Sequence, residues 1–127
     1  MKSENLPKIK VLALIYEPQL HAIFPQVLCI ENTLEGLKKV IGRDYVACIE
    51  IKVAGKNFDV WSDDEALLKE NPVPNLFINE NFILFGNLIF AKHDNDGATL
   101  GIYNSEIRLL QKFCQKQYEK FQKYFGR

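Results

Sequence analysis

The sequence predicts an α+β domain: a mainly antiparallel sheet with two helices, about residues 33–41 and 105–125, packed against it. Three observations carry this. Phe82 to Ala91 (FILFGNLIFA) is the longest apolar run and has the composition of a buried strand, while Ile49, Ile51 and Val53 alternate with Glu50 and Lys52 in the period of a strand with one wet face. Two other segments, after Asn32 and after Asn104, place apolar residues at three- and four-residue steps, the period of a helix. Short turn-forming stretches separate the strand-like pieces, and short turns join antiparallel neighbours.

Taken in order, Ile9 to Tyr16 (IKVLALIY) suits a strand covered on both faces. Glu17-Pro18 ends it, because proline has no N–H with which to extend a ladder. Residues 1–8 read as a flexible lead-in, so the single domain spans 9–127. His21 to Ile30 (HAIFPQVLCI) reads as a strand interrupted at Pro25, which belongs at a sheet edge or a bulge. Asn32 is placed to cap the first helix, with Glu35 three residues on as in a capping box. Leu34, Leu37, Val40 and Ile41 form that helix's apolar face, and Gly42 ends it.

Tyr45 to Ala54 and Phe58 to Trp61 form a hairpin about Gly55-Lys56-Asn57. Ser62 and Glu65 match the S-x-x-E pattern, so Ser62 to Leu68 reads as one helical turn or as an acidic turn before a further short strand. Asn71 to Asn75 can be neither regular helix nor central strand, since two prolines remove donors and fix φ. Phe82 to Ala91 is a single strand, and Gly86 marks a bulge or a close backbone approach within it. Asp94 to Gly97 is a turn, and Thr99 to Tyr103 leads into a last helix capped by Asn104 or Ser105. Its apolar stripe is Ile107, Leu110, Cys114, Tyr118, Phe121 and Phe125.

Composition narrows the function classes. Lys plus Arg and Asp plus Glu both number 16, so no global field draws in nucleic acid or an anionic membrane. The three cysteines, Cys29, Cys48 and Cys114, are far apart and lack zinc-knuckle or redox spacing, which predicts buried, reduced thiols in a cytoplasmic protein. The apolar Val11–Tyr16 segment is too short for a membrane span or a secretory core.

No catalytic constellation stands out. Asp63, Asp64 and Glu65 are consecutive carboxylates, and neighbours on one turn rarely converge on a metal, so they read as a solvated acidic turn. The Asp94–Gly97 loop lacks the later oxygen ligands of a calcium loop. His21 and His93 have no i+4 partner, and no glycine-rich phosphate loop is present. The expectation is therefore no metal, no cofactor, and no trio of groups converging in a sheltered cleft. Two binding surfaces remain. Trp61 with Phe58 can floor a pocket beside Asp63, Asp64, Glu65 and Asn75. Lys112, Lys116 and Lys120 can contact a polyanion, although they advance around the helix and no arginine is set up to read bases. The aromatic stripe of the last helix can alternatively pack on a second copy, as a homodimer.

The order of these motifs resembles the DUF3846-type family of uncharacterised small proteins found in phages and mobile elements. The resemblance covers nearly the whole chain. It rests on Glu17-Pro18 after the opening strand, Asn32-Thr33-Leu34 and Leu37 leading to Ile41-Gly42, the Asp63–Leu68 acidic segment, Pro74-Asn75, Phe85-Gly86-Asn87, the Asp94–Gly97 turn and a closing helix. The chain departs from the pattern at Ala66, where the family more often has glycine. The resemblance implies no activity; it implies a mobile-element setting and a protein partner from the host or the element. The leading expectation is a non-enzymatic binding or regulatory module. The alternatives are a small-molecule or nucleotide binder with weak hydrolytic activity, and a nucleic-acid accessory protein using the last helix.

Overall fold

The computed structural model describes residues 7–42, 44–66, 72–79 and 82–125, with backbone alone at 124 and 125. Expectations that fall on residues 1–6, Leu67, Leu68, Asn71 and the side chain of Phe125 lie outside the described residues.

Strand β1 (Lys8–Glu17) sends alternate side chains to opposite faces of the sheet, and both faces are covered: Val11, Leu12 and Ala13 are fully buried and Leu14 nearly so. Strand β2 (Ala22–Glu31) pairs antiparallel with β1 along its whole length and forms a sheet edge. Pro25 does not interrupt it. It stands opposite Leu14 in unbroken register, which an edge strand allows because the missing N–H can fall on the unpaired side.

Helix α1 (Leu34–Ile41) is capped one residue later than expected. The Thr33 hydroxyl accepts the Gly36 N–H at 3.0 Å, while Asn32 donates instead to the Thr99 carbonyl. Its buried face is Gly36, Leu37 and Ile41, and Leu34 is exposed. Gly36 rests against the Glu31 carbonyl, a contact that leaves no room for a side chain.

Strands β3 (Val46–Val53) and β4 (Lys56–Asp63) make the predicted hairpin, but about Ala54-Gly55 rather than Gly55-Lys56-Asn57. Both turn residues have positive φ, +53° and +81°, as a two-residue type I′ turn requires, and that turn's twist matches its strands. The tighter turn sets the register: Glu50 faces Asp59, whereas the longer loop would have set it opposite Ser62.

The single strand expected over Phe82–Ala91 is two. Strand β5 (Pro74–Asn79) pairs with β6 (Phe82–Phe85) as a separate two-stranded sheet, and β7 (Leu88–His93) runs through the middle of the main one. At the break Gly86 has φ +81° and donates its N–H to the Val73 carbonyl, a conformation that costs other residues about 1–2 kcal/mol. Pro74 and Asn75 open β5, which in a two-stranded sheet is an edge strand and not the central strand that the prolines exclude. The main sheet runs β2-β1-β7-β4-β3, and the short β8 (Thr99–Leu100) pairs with the far end of β7. Every pairing between the described strands is antiparallel.

Helix α2 (Asn104–Phe125) and α1 cover opposite faces. Leu12, Leu14, Val60, Leu88 and Phe90 pack with Ile107 and Leu110 of α2, while Val11, Ala13, Ile89 and Ala91 pack with Leu37 and Ile41 of α1. The predicted stripe of α2 shifts: Gln117 is buried and Tyr118 exposed. The Gln117 amide donates to the Phe77 and Ile78 carbonyls at 2.8 and 3.1 Å, and the Phe77 and Phe121 rings meet edge to face, fixing α2 over β5. Neither Asn104 nor Ser105 caps α2. Ile107 bonds the Tyr103 carbonyl, and Glu106 reaches back to accept the Tyr103 N–H at 2.8 Å.

Glu106 is 3 % exposed, with Lys92 Nζ 3.0 Å from both carboxylate oxygens and Lys56 Nζ 3.5 Å from one. Burial pushes its pKa up, but the Tyr103 N–H, Lys92 and Lys56 together hold it below its ordinary value. A depressed carboxylate stabilises the fold above its unfolded pKa of about 4.3, and that contribution is lost as pH falls through the folded value. Glu106→Gln should therefore cost about 2 kcal/mol in urea unfolding at neutral pH, by leaving Lys92 unpaired, and the difference should close near pH 3. Ala54→Asn, which suits the left-handed turn position, should stabilise the protein by about 1 kcal/mol in the same assay.

Candidate functional site

A strand's two-residue period decides which polar groups meet at the hairpin end of the sheet. Glu50 of β3 faces Asp59 of β4 directly, and Asp59 in turn faces Ala91 of β7. His93, two residues beyond Ala91, is a diagonal neighbour of Asp59 on the same face, the one that carries α1 further along. One donor atom from each of Glu50, Asp59 and His93 lies within 4.8 Å of the others. Three strands bring these together, with Glu50 and His93 exposed and Asp59 buried beneath them.

The three residues are held differently. Asp59 is 5 % exposed, and both its oxygens lie against His93 Nδ1, at 3.0 and 2.9 Å. Glu50 is exposed, with Oε2 3.9 Å from His93 Nε2. A carboxylate has no hydrogen to donate, so Nδ1 carries the proton of this contact and donates it to Asp59. Nε2 is left as the outward-facing nitrogen. The ring opens on a cleft of about 540 Å³ lined by Glu50, Asn57 and the loop Asp94–Gly97. That loop is the predicted turn. Asp94 Oδ1 accepts the N–H groups of Asp96 and Ala98, which stiffens the cleft wall.

Two carboxylates facing each other repel, and His93 relieves this. The Asp59 hydrogen bond and charge raise the His93 pKa above its ordinary 6.5, helped by Glu50 and Asp94 and opposed by desolvation. Cys48 is next to Glu50 on the same face of β3, since residues two apart share a face. Desolvation, then Asp59 and Glu50, push its thiol up to about 11, which favours the protonated form. The arrangement can bind a cation or hold a proton.

The sequence-predicted site residues are placed elsewhere and do not form one site. Trp61 packs half-buried on the α1 face, while Phe58, an odd number of residues away, packs on the α2 face, so the two cannot floor one pocket. Asp63 is buried at the end of β4 rather than on an acidic turn; its Oδ1 accepts the Glu65 N–H at 2.9 Å. Ser62 is also buried, within β4. Asp64 and Glu65 are exposed, and Glu65 shares a shallow cleft with Glu35, Lys38, Lys39 and Asp44, where opposite charges offset one another. Asn75 donates to the carbonyls of Leu14 and Gly86, tying β5 to β1. Lys112, Lys116 and Lys120 are all exposed on α2.

The thiols also differ from expectation. Cys29 and Cys48 are exposed, and Cys114 is half-buried, its thiol pushed up to about 12 by burial. Sequence reasoning missed Glu50, Asp59 and His93 because they are joined only by pairing. The one signal available was the hairpin, and it places Glu50 opposite Asp59 only with the two-residue turn.

Comparison with family models matches residues 9–118 to the family described as Domain of unknown function (DUF3846), and the chain belongs to that family. No curated protein and no solved structure matches it. No helix among the described residues is long and apolar enough to cross a membrane.

The raised His93 pKa has a signed consequence. The imidazolium's stabilisation is fully present below the unfolded value of about 6.5 and is lost as pH rises through the folded one. An NMR titration should place the His93 midpoint above 6.5, and Asp59→Asn should lower it. A wild-type midpoint at or below 6.5 contradicts the Asp59 contact.

Proposed function

We propose that this member of the DUF3846 family is a non-enzymatic binding module whose ligand is a divalent transition-metal ion seated in the His93 cleft. One observation carries the reading: His93 and Glu50 present donor atoms to a common opening while buried Asp59 holds the far side of the imidazole. A metal-bound histidine commonly donates its other N–H to a carboxylate, which sets the tautomer and raises the basicity of the ligating nitrogen. Asp59 supplies that support. His93 Nε2 and Glu50 would be the ligands. Their 3.9 Å separation needs only a small rotation of the exposed Glu50 to reach the roughly 3.4 Å expected of neighbouring ligands on a tetrahedral ion. An imidazole nitrogen with a carboxylate favours Zn²⁺ and similar ions over Ca²⁺ or Mg²⁺, which take oxygen ligands.

The wider setting belongs to the same proposal. The family resemblance supports a phage or mobile-element protein acting on a host or element component, and metal loading of this cleft would present a charged surface to such a partner.

Titration with Zn²⁺ should raise the melting temperature and give one equivalent by calorimetry, with Ca²⁺ inert at the same concentration. His93→Ala and Glu50→Gln should abolish the effect, and Asp59→Asn should weaken it about 10–100-fold. A melting temperature indifferent to Zn²⁺, or an equal response in His93→Ala, sinks the reading.

A further inference from the structure

On the other face of the sheet a second cleft, of about 350 Å³, opens between α2 and the β1–β2 edge. It exists because Gln117 fixes α2 over β5, leaving part of the edge strand without a helix above it: Pro25 and Val27 are exposed, Val27 by half. Its walls are Leu14, Ile23, Leu76, Cys114 and Tyr118, and no charged side chain lines it. The volume is at the small end of the range for ligand sites, roughly 300–1,000 Å³, and an apolar lining with a few polar groups is their usual character.

The polar group that gives this cleft a chemistry is Asn75. Its Nδ2 donates to the Leu14 carbonyl at 3.1 Å and the Gly86 carbonyl at 2.7 Å, which fixes which way the amide points. Its Oδ1 is buried and has no protein partner among the described residues. An acceptor left this way carries a desolvation cost that a donor brought by a ligand removes. Gln111 and Gln115 complete the polar rim.

We propose that this cleft binds a small uncharged, largely apolar molecule bearing one N–H or O–H donor, with Asn75 Oδ1 accepting that hydrogen. An anion is disfavoured, because an acceptor-only group would face the amide oxygen. A nucleotide is disfavoured as well, because no cation lines the walls to hold its phosphates. The site is independent of the His93 cleft, which lies on the opposite face.

Indole and benzofuran test this as a pair, since they share shape and differ in the N–H donor. Indole should give saturable NMR shifts at the Leu14 and Leu76 methyls and the Asn75 side-chain amide, and benzofuran should bind at least tenfold more weakly. Cys114→Phe, which fills the cleft without touching the Asn75 bonds, should abolish the indole shifts while the rest of the spectrum stays folded. The proposal is overturned by no saturation with millimolar indole, by equal binding of the two probes, by unchanged indole binding in Cys114→Phe, or by a crystal soaked in indole that shows only water at Oδ1.

Discussion

Everything in this fold depends on the left-handed turn at Gly86. An apolar run from Phe82 to Ala91 would make one long strand, yet the chain needs its second half in the middle of a six-stranded sheet and its first half elsewhere. Gly86 breaks the run and hands its N–H to Val73, and Asn75 anchors the break by bonding the Gly86 carbonyl. Asn87 then takes the Tyr16 N–H, so β7 enters the sheet beside β1 with its backbone satisfied. Leu88, Ile89, Phe90 and Ala91 are consequently all fully buried, alternate residues feeding opposite cores.

The far end of β7 repeats that division with charge. Lys92 and His93 are adjacent, so they point to opposite faces, and each meets a nearly buried carboxylate: Lys92 meets Glu106 of α2, and His93 meets Asp59 of β4. Each carboxylate is costly to bury alone and is tolerated because a basic partner comes with it, His93 for Asp59 and, for Glu106, Lys92 and Lys56 with the Tyr103 N–H. The two sites differ in what remains available. Glu106 is enclosed by Lys56, Lys92 and Tyr103, and it closes the start of α2. His93, by contrast, stays exposed beside a cleft lined by Glu50, Asn57 and the Asp94–Gly97 loop.

Much of the fold was legible in local pattern. The strict alternation of Ile49, Ile51 and Val53, the continuous apolar β1, the edge placement implied by Pro25 and the two helices all follow from periodicity and from proline's missing donor. Caps and turns were legible only to within a residue, since Asn32 and Thr33 both have capping side chains and Ala54 is not a residue type that announces positive φ. Burial along α2 was misread at Gln117 and Tyr118. Helical spacing allows either residue to face inward, and the carbonyls of Phe77 and Ile78 take the amide of Gln117 as their donor.

The sequence by itself determined the class of the protein, its layers and the kinds of side chain available, because these depend on period and composition. The tertiary structure alone decided which of those side chains meet. Asp63 and Ser62 went inside because β4 runs two residues past Trp61, and the carboxylates beside His93, Glu50 and Asp59, came together because a two-residue turn set the register between β3 and β4. Strand pairing joins residues far apart in the chain at a spacing set by one turn, and a shift of that turn changes every partner along the hairpin.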